Sequence, residues 1–417
     1  MHLFRYKDGD LHAEEVPVSK IADSVGTPVY IYSYHTLVSH FRAYEEAFKE
    51  VPHITCFALK ANSSSAIVRI FARHGGGADV VSGGELYRAL KAGIPGQKIV
   101  YAGVGKTEEE IRFALKSKIL MFNVESGDEL EEINRVAGLM RVKAPIALRV
   151  NPDVDPQTHP YISTGLKTHK FGIPIEDALE YYALANSLKH VTIVGVHKHI
   201  GSQLTKVSPF VDALKRLLLL VDELGRKGIR ISHLDIGGGL GITYRDETPP
   251  NPAQLARNLL PLLKGRPLTV LTEPGRSIVG NAGILVTKTL YLKSCGDKEF
   301  VIVDAGMNDL VRPSLYGAYH HIQPVIKQRR EKIIADIVGP ICESGDFLAK
   351  EREILQVMRG EYLAVMSAGA YGLSMASNYN SRPRAAEVMV KGKKFAIIRK
   401  RETYPDLMRG EQVPEFI

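Results

Sequence analysis

The stretch Ile54-Thr55-Cys56-Phe57-Ala58-Leu59-Lys60-Ala61-Asn62 is a short apolar run that ends on a lysine. Read as a buried strand, it leaves the Lys60 ammonium where the fold can strip away its water. The neutral amine is then favoured, and it is a nucleophile toward aldehydes. A solvated lysine at a strand end is the simpler reading of any one such residue. The choice between them rests on what surrounds the run.

Working outward, apolar and β-branched runs recur at 54–59, 78–81, 99–101, 119–124, 146–150, 192–196, 233–236 and 268–271. Helix-like stretches lie between them at 65–73, 84–92, 107–115, 128–137, 175–187, 209–225 and 251–263. Strand and helix in alternation predict a parallel α/β sheet, and the count of eight strands predicts a (β/α)8 TIM barrel. A doubly wound open sheet is the alternative, for a strand count one or two lower. After Gly280 the texture becomes β-like, at 282–291, 299–304, 331–338, 361–366 and 385–390. This predicts a mostly antiparallel C-terminal β domain. The strand-like segment 3–15 is expected to pair into it. The expected division is 1–30 as an N-terminal segment joining the β domain, 31–280 as the barrel, and 281–417 as the C-terminal β domain.

At 417 residues the chain exceeds one ordinary core, which agrees with two domains. With 45% hydrophobic and 24% charged residues it has the balance of a globular protein in water. The net charge of +8 is scattered apart from clusters at 327–332 and 391–401. No aromatic residues interleave with those clusters in the nucleic-acid-binding manner, so they read as solvated faces. Cys56, Cys295 and Cys342 are too few and too far apart for a disulfide framework or a CxxC metal site. No signal region or membrane-length apolar run is evident. A cytoplasmic protein with a small-molecule substrate, no nucleic acid and no membrane is the expectation.

The chemistry-bearing residues gather at strand ends, which in a barrel form the catalytic rim. Gly237-Gly238-Gly239-Leu240-Gly241 follows strand 7. Its glycines allow backbone amides to approach a phosphate, a reading favoured over a plain turn by its position. Glu273-Pro274-Gly275-Arg276 ends strand 8. A carboxylate there suits the nitrogen of a pyridine ring, which is a better electron sink when protonated. His197-Lys198-His199 ends strand 6, and alternation puts the two imidazoles on one face. His199 reads as a ring stacked on a cofactor, or as a core histidine; a metal pair lacks a third ligand. In Cys342-Glu343-Ser344-Gly345-Asp346 the cysteine is either core filler or a proton donor on an exposed loop. Together with Lys60 these residues suggest pyridoxal 5′-phosphate (PLP).

The chain resembles the fold type III PLP-dependent decarboxylases over nearly its whole length, most closely their diaminopimelate branch. The resemblance is carried by Phe57 to Asn62 and by Gly77-Ala78-Asp79-Val80-Val81-Ser82-Gly83-Gly84-Glu85. Ser163-Thr164-Gly165-Leu166, Lys170-Phe171-Gly172, His199-Ile200-Gly201-Ser202-Gln203, the triple glycine and Glu273 to Arg276 continue it. In the second domain it includes Val303-Asp304-Ala305-Gly306-Met307, Arg312-Pro313-Ser314-Leu315-Tyr316, Gly339 to Asp346, Gly369-Ala370-Tyr371-Gly372 and Asn378-Tyr379-Asn380-Ser381-Arg382-Pro383. Ornithine and arginine decarboxylases share Lys60 and Glu273 but tend to carry Asp after the loop cysteine and a Phe-Asn-Gly ending. Glu343 and Asn378 to Pro383 match the diaminopimelate branch. Thr168-His169 stands before Lys170 where that branch commonly has a serine.

The resemblance implies that Lys60 carries the cofactor, His199 stacks on its ring and Glu273 meets its nitrogen. It implies that Asp79 and Gly238 contact the cofactor, and that Ser202, Gly239, Gly275, Arg276 and Tyr371 surround its phosphate. Arg276, Arg312, Tyr316, Glu343 and Tyr371 would contact the substrate. Cys342 would return a proton to the α-carbon, reaching the active site of the partner subunit in a homodimer with shared active sites. The implied reaction converts meso-2,6-diaminopimelate to L-lysine and CO2. An ornithine/lysine/arginine-type decarboxylase and a non-catalytic PLP-binding homologue are the rival expectations.

Overall fold

Each of the eight apolar runs becomes a parallel strand: β1 (His53–Ala58), β2 (Gly77–Val80), β3 (Ile99–Tyr101), β4 (Met121–Val124), β5 (Ala144–Asn151), β6 (Val191–His197), β7 (His233–Asp235) and β8 (Thr269–Thr272). Each pairs with the next, and β8 returns to β1 through Leu271 opposite Ile54. The sheet thereby closes into an eight-stranded barrel and leaves no free edge. The computed structural model describes residues 2–154 and 170–417. They fall into two units: one of residues 38–243 and 247–278, which holds the barrel, and one of residues 1–37, 244–246 and 279–417.

The helices lie where the spacing predicts, and their ends have chemical causes. Ser82 and Ser126 accept from backbone N–H groups three residues on, which starts Gly83–Ala92 and Gly127–Leu139. Thr107 with Glu110, and Asn251 with Gln254, form reciprocal capping boxes. Gly93, in the left-handed region at φ 95°, ends Gly83–Ala92. The helix Tyr34–Phe48 is absent from the sequence reading. Leu37, Phe41, Tyr44 and Phe48 make its buried stripe at helical spacing.

The second unit holds a mixed, mostly antiparallel sheet. Its order is Phe347–Leu355, Lys332–Val338, Lys298–Val303, Gly283–Cys295, Val29–Ser33, Ala386–Lys391, Lys394–Arg399. Tyr362–Val365 adds to Gly283–Cys295, and Ile322–Pro324 adds to Tyr362–Val365. Two neighbouring pairs are parallel: Lys298–Val303 with Lys332–Val338, and Val29–Ser33 with Ala386–Lys391. The N-terminal strand of this sheet is thus Val29–Ser33. The 3–15 segment instead folds on itself as a three-stranded meander, Phe4–Lys7, Asp10–Ala13 and Val16–Pro17. Among the described residues its one β-bridge to the rest of the same unit is Asp10 to Ile326. Its apolar faces explain this: Phe4, Leu11, Ala13 and Val16 bury against Val29, Ile31, Ile284 and Val388. Face packing, at roughly 1.5–3 kcal/mol per large side chain, holds it with only a few backbone bonds at its edges, from Gly9, Leu11 and Glu15. The basic stretch 391–401, read as a solvated face, contains the hairpin strand Lys394–Arg399.

Candidate active site

Lys60 lies in the single 3-10 turn Leu59–Ala61 that ends β1. Leu59 and Ala61 are buried and pin the turn, while the Lys60 side chain is about a third exposed. Its Nζ donates to Asp79 Oδ2 at 2.8 Å. Asp79 is fully buried on β2, directly opposite Ala58. Burial first, then the charge of Glu273, raises its carboxyl above the usual range, with Lys60 opposing. Its Oδ1 has no hydrogen-bond partner, so the pair retains a buried acceptor.

Glu273 follows β8 and is buried among polar groups of β4, β6 and β7. Oε2 lies 3.3 Å from His197 Nε2 and 4.0 Å from His199 Nδ1. Oε1 accepts from Asn123 Nδ2 at 3.3 Å. Burial alone would raise this carboxyl, but His197, then Lys60 and His199, outweigh it and hold Glu273 below the ordinary carboxylate range. His199 lies two residues beyond the end of β6. Its Nδ1 accepts the Gly238 backbone N–H at 3.2 Å, which leaves the ring proton on Nε2. Burial, then the cations Lys60 and Arg149, hold the imidazole neutral. A flat, neutral ring is suited to stacking.

The triple glycine answers to close backbone approach. A Cβ on Gly238 would lie 2.1 Å from the Glu273 carbonyl oxygen, and one on Gly239 2.4 Å from that of Gly201. Gly239 also takes φ +112°, where side chains are strained. These glycines let the ends of β6, β7 and β8 converge. Nearby, Arg276 opens the helical turn Arg276–Val279, just after Gly275. It is buried, and its Nη2 and Nε lie 3.2 and 3.4 Å from Ser202 Oγ. A guanidinium and a hydroxyl brought together suit an anion such as a phosphate.

The other expected residues belong to the second unit. Arg312 begins the short helix Arg312–Tyr316 and is buried. Its Nη1 donates to His320 Nε2 at 2.9 Å, and its guanidinium lies 4.8 Å from the Tyr244 ring centre. Tyr316 ends the same helix, half-buried. Cys342 and Glu343 are exposed. The Cys342 backbone N–H donates to Asn380 Oδ1 at 2.8 Å, and Glu343 hydrogen-bonds Tyr379. Tyr371 is half-buried with φ +55°. Of the motif residues, Ser163 to Leu166, with Thr168 and His169, lie outside the described residues.

Sequence reasoning passed over Asn123, Asp235, Arg149 and Glu125, all buried at or just beyond the ends of β4, β5 and β7. Arg149 Nη1 pairs with Glu125 Oε1 at 2.9 Å, and Glu125 Oε2 accepts the Gly172 N–H at 2.9 Å. The available signal was a polar residue at the end of an apolar run, the same signal that marked Lys60. His197, Asp235 and Glu273 place ligand-type atoms within 4.8 Å of one another. Their hydrogen bonds to one another and to Asn123 make them a proton-sharing cluster. The complement of the rim fits PLP: a lysine with a carboxylate partner, a neutral imidazole, a buried ionised carboxylate and an arginine–serine anion site.

Comparison with known proteins agrees with this complement. Residues 34–280 match the family of the pyridoxal-dependent decarboxylases, pyridoxal binding domain. The diaminopimelate decarboxylase of Aquifex aeolicus is 54% identical over 96% of this chain and 95% of its own. That of Pseudomonas aeruginosa is 54% identical over 99% of both. The structure of diaminopimelate decarboxylase from M. jannaschii in co-complex with L-lysine superposes with a TM-score of 0.94 at 41% identity, covering 99% of this chain and 98% of that one.

Proposed function

The chain belongs to the diaminopimelate decarboxylases, pyridoxal-dependent carboxy-lyases that perform the final step of lysine biosynthesis, and on that premise we propose how its residues divide the work. When bound, PLP supplies a carbonyl for the substrate amine and a conjugated ring that accepts the electron pair left by departing CO2. Lys60 attaches the cofactor and yields its place to the substrate amine. Asp79 positions the Lys60 ammonium whenever Lys60 is not attached to the cofactor. His199 stacks on the ring, with its Nδ1 fixed by Gly238. Glu273 keeps a proton on the ring nitrogen. Ser202, Arg276, Gly239, Gly275 and Tyr371 hold the phosphate.

Substrate recognition falls to Arg276, Arg312, Tyr316, Glu343 and Tyr371. The distal end of meso-2,6-diaminopimelate carries a carboxylate and an ammonium. Arginine matches the first bidentately, and Glu343 matches the second. The carboxylate at the D-centre leaves as CO2, and Cys342 returns one proton to that carbon to give L-lysine. The enzyme works as a homodimer in which Cys342 and Glu343 serve the partner subunit, and it is cytoplasmic. Among the described residues no helix is long and apolar enough to cross a membrane.

The observation that carries this reading is the placement of Lys60 with Asp79, and of Glu273 with two imidazoles, at adjoining strand ends of one barrel. Incubating the holoenzyme with meso-diaminopimelate should release CO2 and lysine in equal amounts. Ornithine, arginine and lysine should turn over at least ~100-fold more slowly, because each lacks the distal carboxylate. Faster turnover of any of the three would replace the substrate assignment.

A further inference from the structure

Asn123, His197 and Asp235 meet inside the barrel around Glu273, and the division of labour above uses none of the three. Asp235 ends β7 and is fully buried. Its Oδ1 accepts the Gly237 N–H at 2.9 Å. Its Oδ2 lies 3.3 Å from Asn123 Nδ2, which is also 3.3 Å from Glu273 Oε1. One amide nitrogen therefore bridges two carboxyl groups with its two hydrogens. An oxygen of each carboxyl group lies within 4.8 Å of the other. Two ionised carboxylates offer only acceptors, whereas a proton held by one lets it donate to the other. Two buried carboxyl groups this close disfavour double ionisation, because like charges raise each other's proton affinity.

The surroundings decide which partner keeps the proton. Glu273 lies 3.3 Å from His197 Nε2, and it also feels the charge of Lys60 and lies 4.0 Å from His199 Nδ1. Asp235 faces Glu273, the like charge of Asp79 on β2, the buried thiol of Cys56 on β1, His197 opposite it on β6, and the cation Lys198 just beyond β6. We infer that Asp235 is a positioning residue that retains a proton and donates it to Glu273, so that the pair carries one negative charge, on Glu273, facing the cofactor ring nitrogen. The inference rests on the role of Glu273 proposed above. Burial and the charge of Glu273 push the Asp235 carboxyl well above the usual range, in the same direction. The consequence is chemical: a carboxylate that already accepts a strong hydrogen bond is a weaker base. The proton it shares with a pyridine nitrogen then stays on nitrogen.

The test uses holoenzyme at pH 8 carrying cofactor labelled with 15N in the ring. Asp235→Asn is permanently neutral and offers an N–H at the same place. It should leave the ring-nitrogen NMR signal at its wild-type, protonated position. Asp235→Leu has no donor and should move the signal toward neutral pyridine. If Asp235 is ionised, Asp235→Asn removes a charge and moves the signal, which overturns the inference. Infrared spectra of wild type grown with 13C-carboxyl aspartate should show an isotope-shifted protonated-carboxyl band, missing from Asp235→Asn. Should that variant not fold, persistence of the band at pH 8 in Asp79→Asn supports the inference, and its loss there overturns it. Glu273→Gln separates the two levels. An unmoved nitrogen signal in that variant refutes the Glu273 role, while the infrared band still reports Asp235.

Discussion

The barrel rim and the Cys342 loop fix their polar groups by opposite means. On the rim, Asn123, His197, Asp235 and Glu273 are buried and hold one another by side-chain bonds, and buried Asp79 holds Lys60. In the loop, the backbone is fixed and the side chains are left open. Asp346 accepts the Met307 and Ile341 N–H groups at 2.6 Å each, and Asn380 accepts that of Cys342. Cys342 and Glu343 themselves stay exposed. Charge states on the rim are therefore set by the protein before any ligand arrives. Those of the loop are set by whatever covers it. The first arrangement suits holding a cofactor, and the second suits meeting a substrate or a neighbouring chain.

That contrast breaks first at Lys60. Lys60→Ala should lower kcat by at least ~10^4-fold, as removal of a covalent nucleophile does. Borohydride reduction of wild type should leave the pyridoxyl group on Lys60, and peptide mapping that finds it elsewhere ends the assignment. Cys342→Ala should lower kcat by roughly 10^2–10^4-fold, the range for a lost general acid. Because the side chain is exposed, stability should move by no more than ~0.5 kcal/mol. Mixing Lys60→Ala with Cys342→Ala subunits should restore about a quarter of wild-type activity, since half the dimers at equal mixing carry one intact site. No recovery after verified exchange would put both residues on one chain's site.

Arg312 belongs to the second unit but is buried like the rim groups. Arg312→Ala should cost roughly 2–5 kcal/mol in kcat/KM for diaminopimelate, the range for one lost buried charged partner. Wild-type kinetics would remove Arg312 from substrate binding. The smallest effect concerns Asp309, a buried acid of the second unit. Burial pushes its carboxyl up to about 7, and Arg382 and Arg401 offset this only in part. An aspartate in the unfolded chain ionises near ~4. Between these values the native state holds a proton that the unfolded state has lost, so stability falls as pH rises from about 4 to 7. Asp309→Asn removes this term. Calorimetry should show the variant gaining a few degrees of Tm on wild type at pH 8 compared with pH 4.5. Equal differences at both pH values would place the origin elsewhere.

The sequence made the barrel legible because each strand is buried on both faces and reads as an apolar block between capped helices. Lys60, His199 and Glu273 were legible because each interrupts such a block at its end. Asp235 and Asn123 interrupt their blocks in the same way, but a polar residue there reads equally well as the start of a loop. Only the register of neighbouring strands, which sets His197 opposite Asp235 and Asn123 opposite Ala147, gives them partners. Outside the barrel, Lys394–Arg399 was hidden by its lysines and arginines, which edge strands commonly carry. The 3–15 meander reads as strand in either setting, since alternation specifies a buried face and not the edge that pairs.

The strand Val29–Ser33 lies between Gly283–Cys295 and Ala386–Lys391, with Tyr30 opposite both Leu285 and Glu387. On the ribosome, residue 387 follows residue 30 after 387 − 30 = 357 further additions. At about 5–20 residues per second this takes roughly 20–70 seconds. Throughout that interval the strand has an open edge, while every barrel strand is synthesised behind it. The barrel strands have only one another to pair with during that time, so the barrel is free to close first. The N-terminal strand has to be kept from other chains until nearly the last segment emerges, and a chain cut short before residue 386 would carry that open edge permanently.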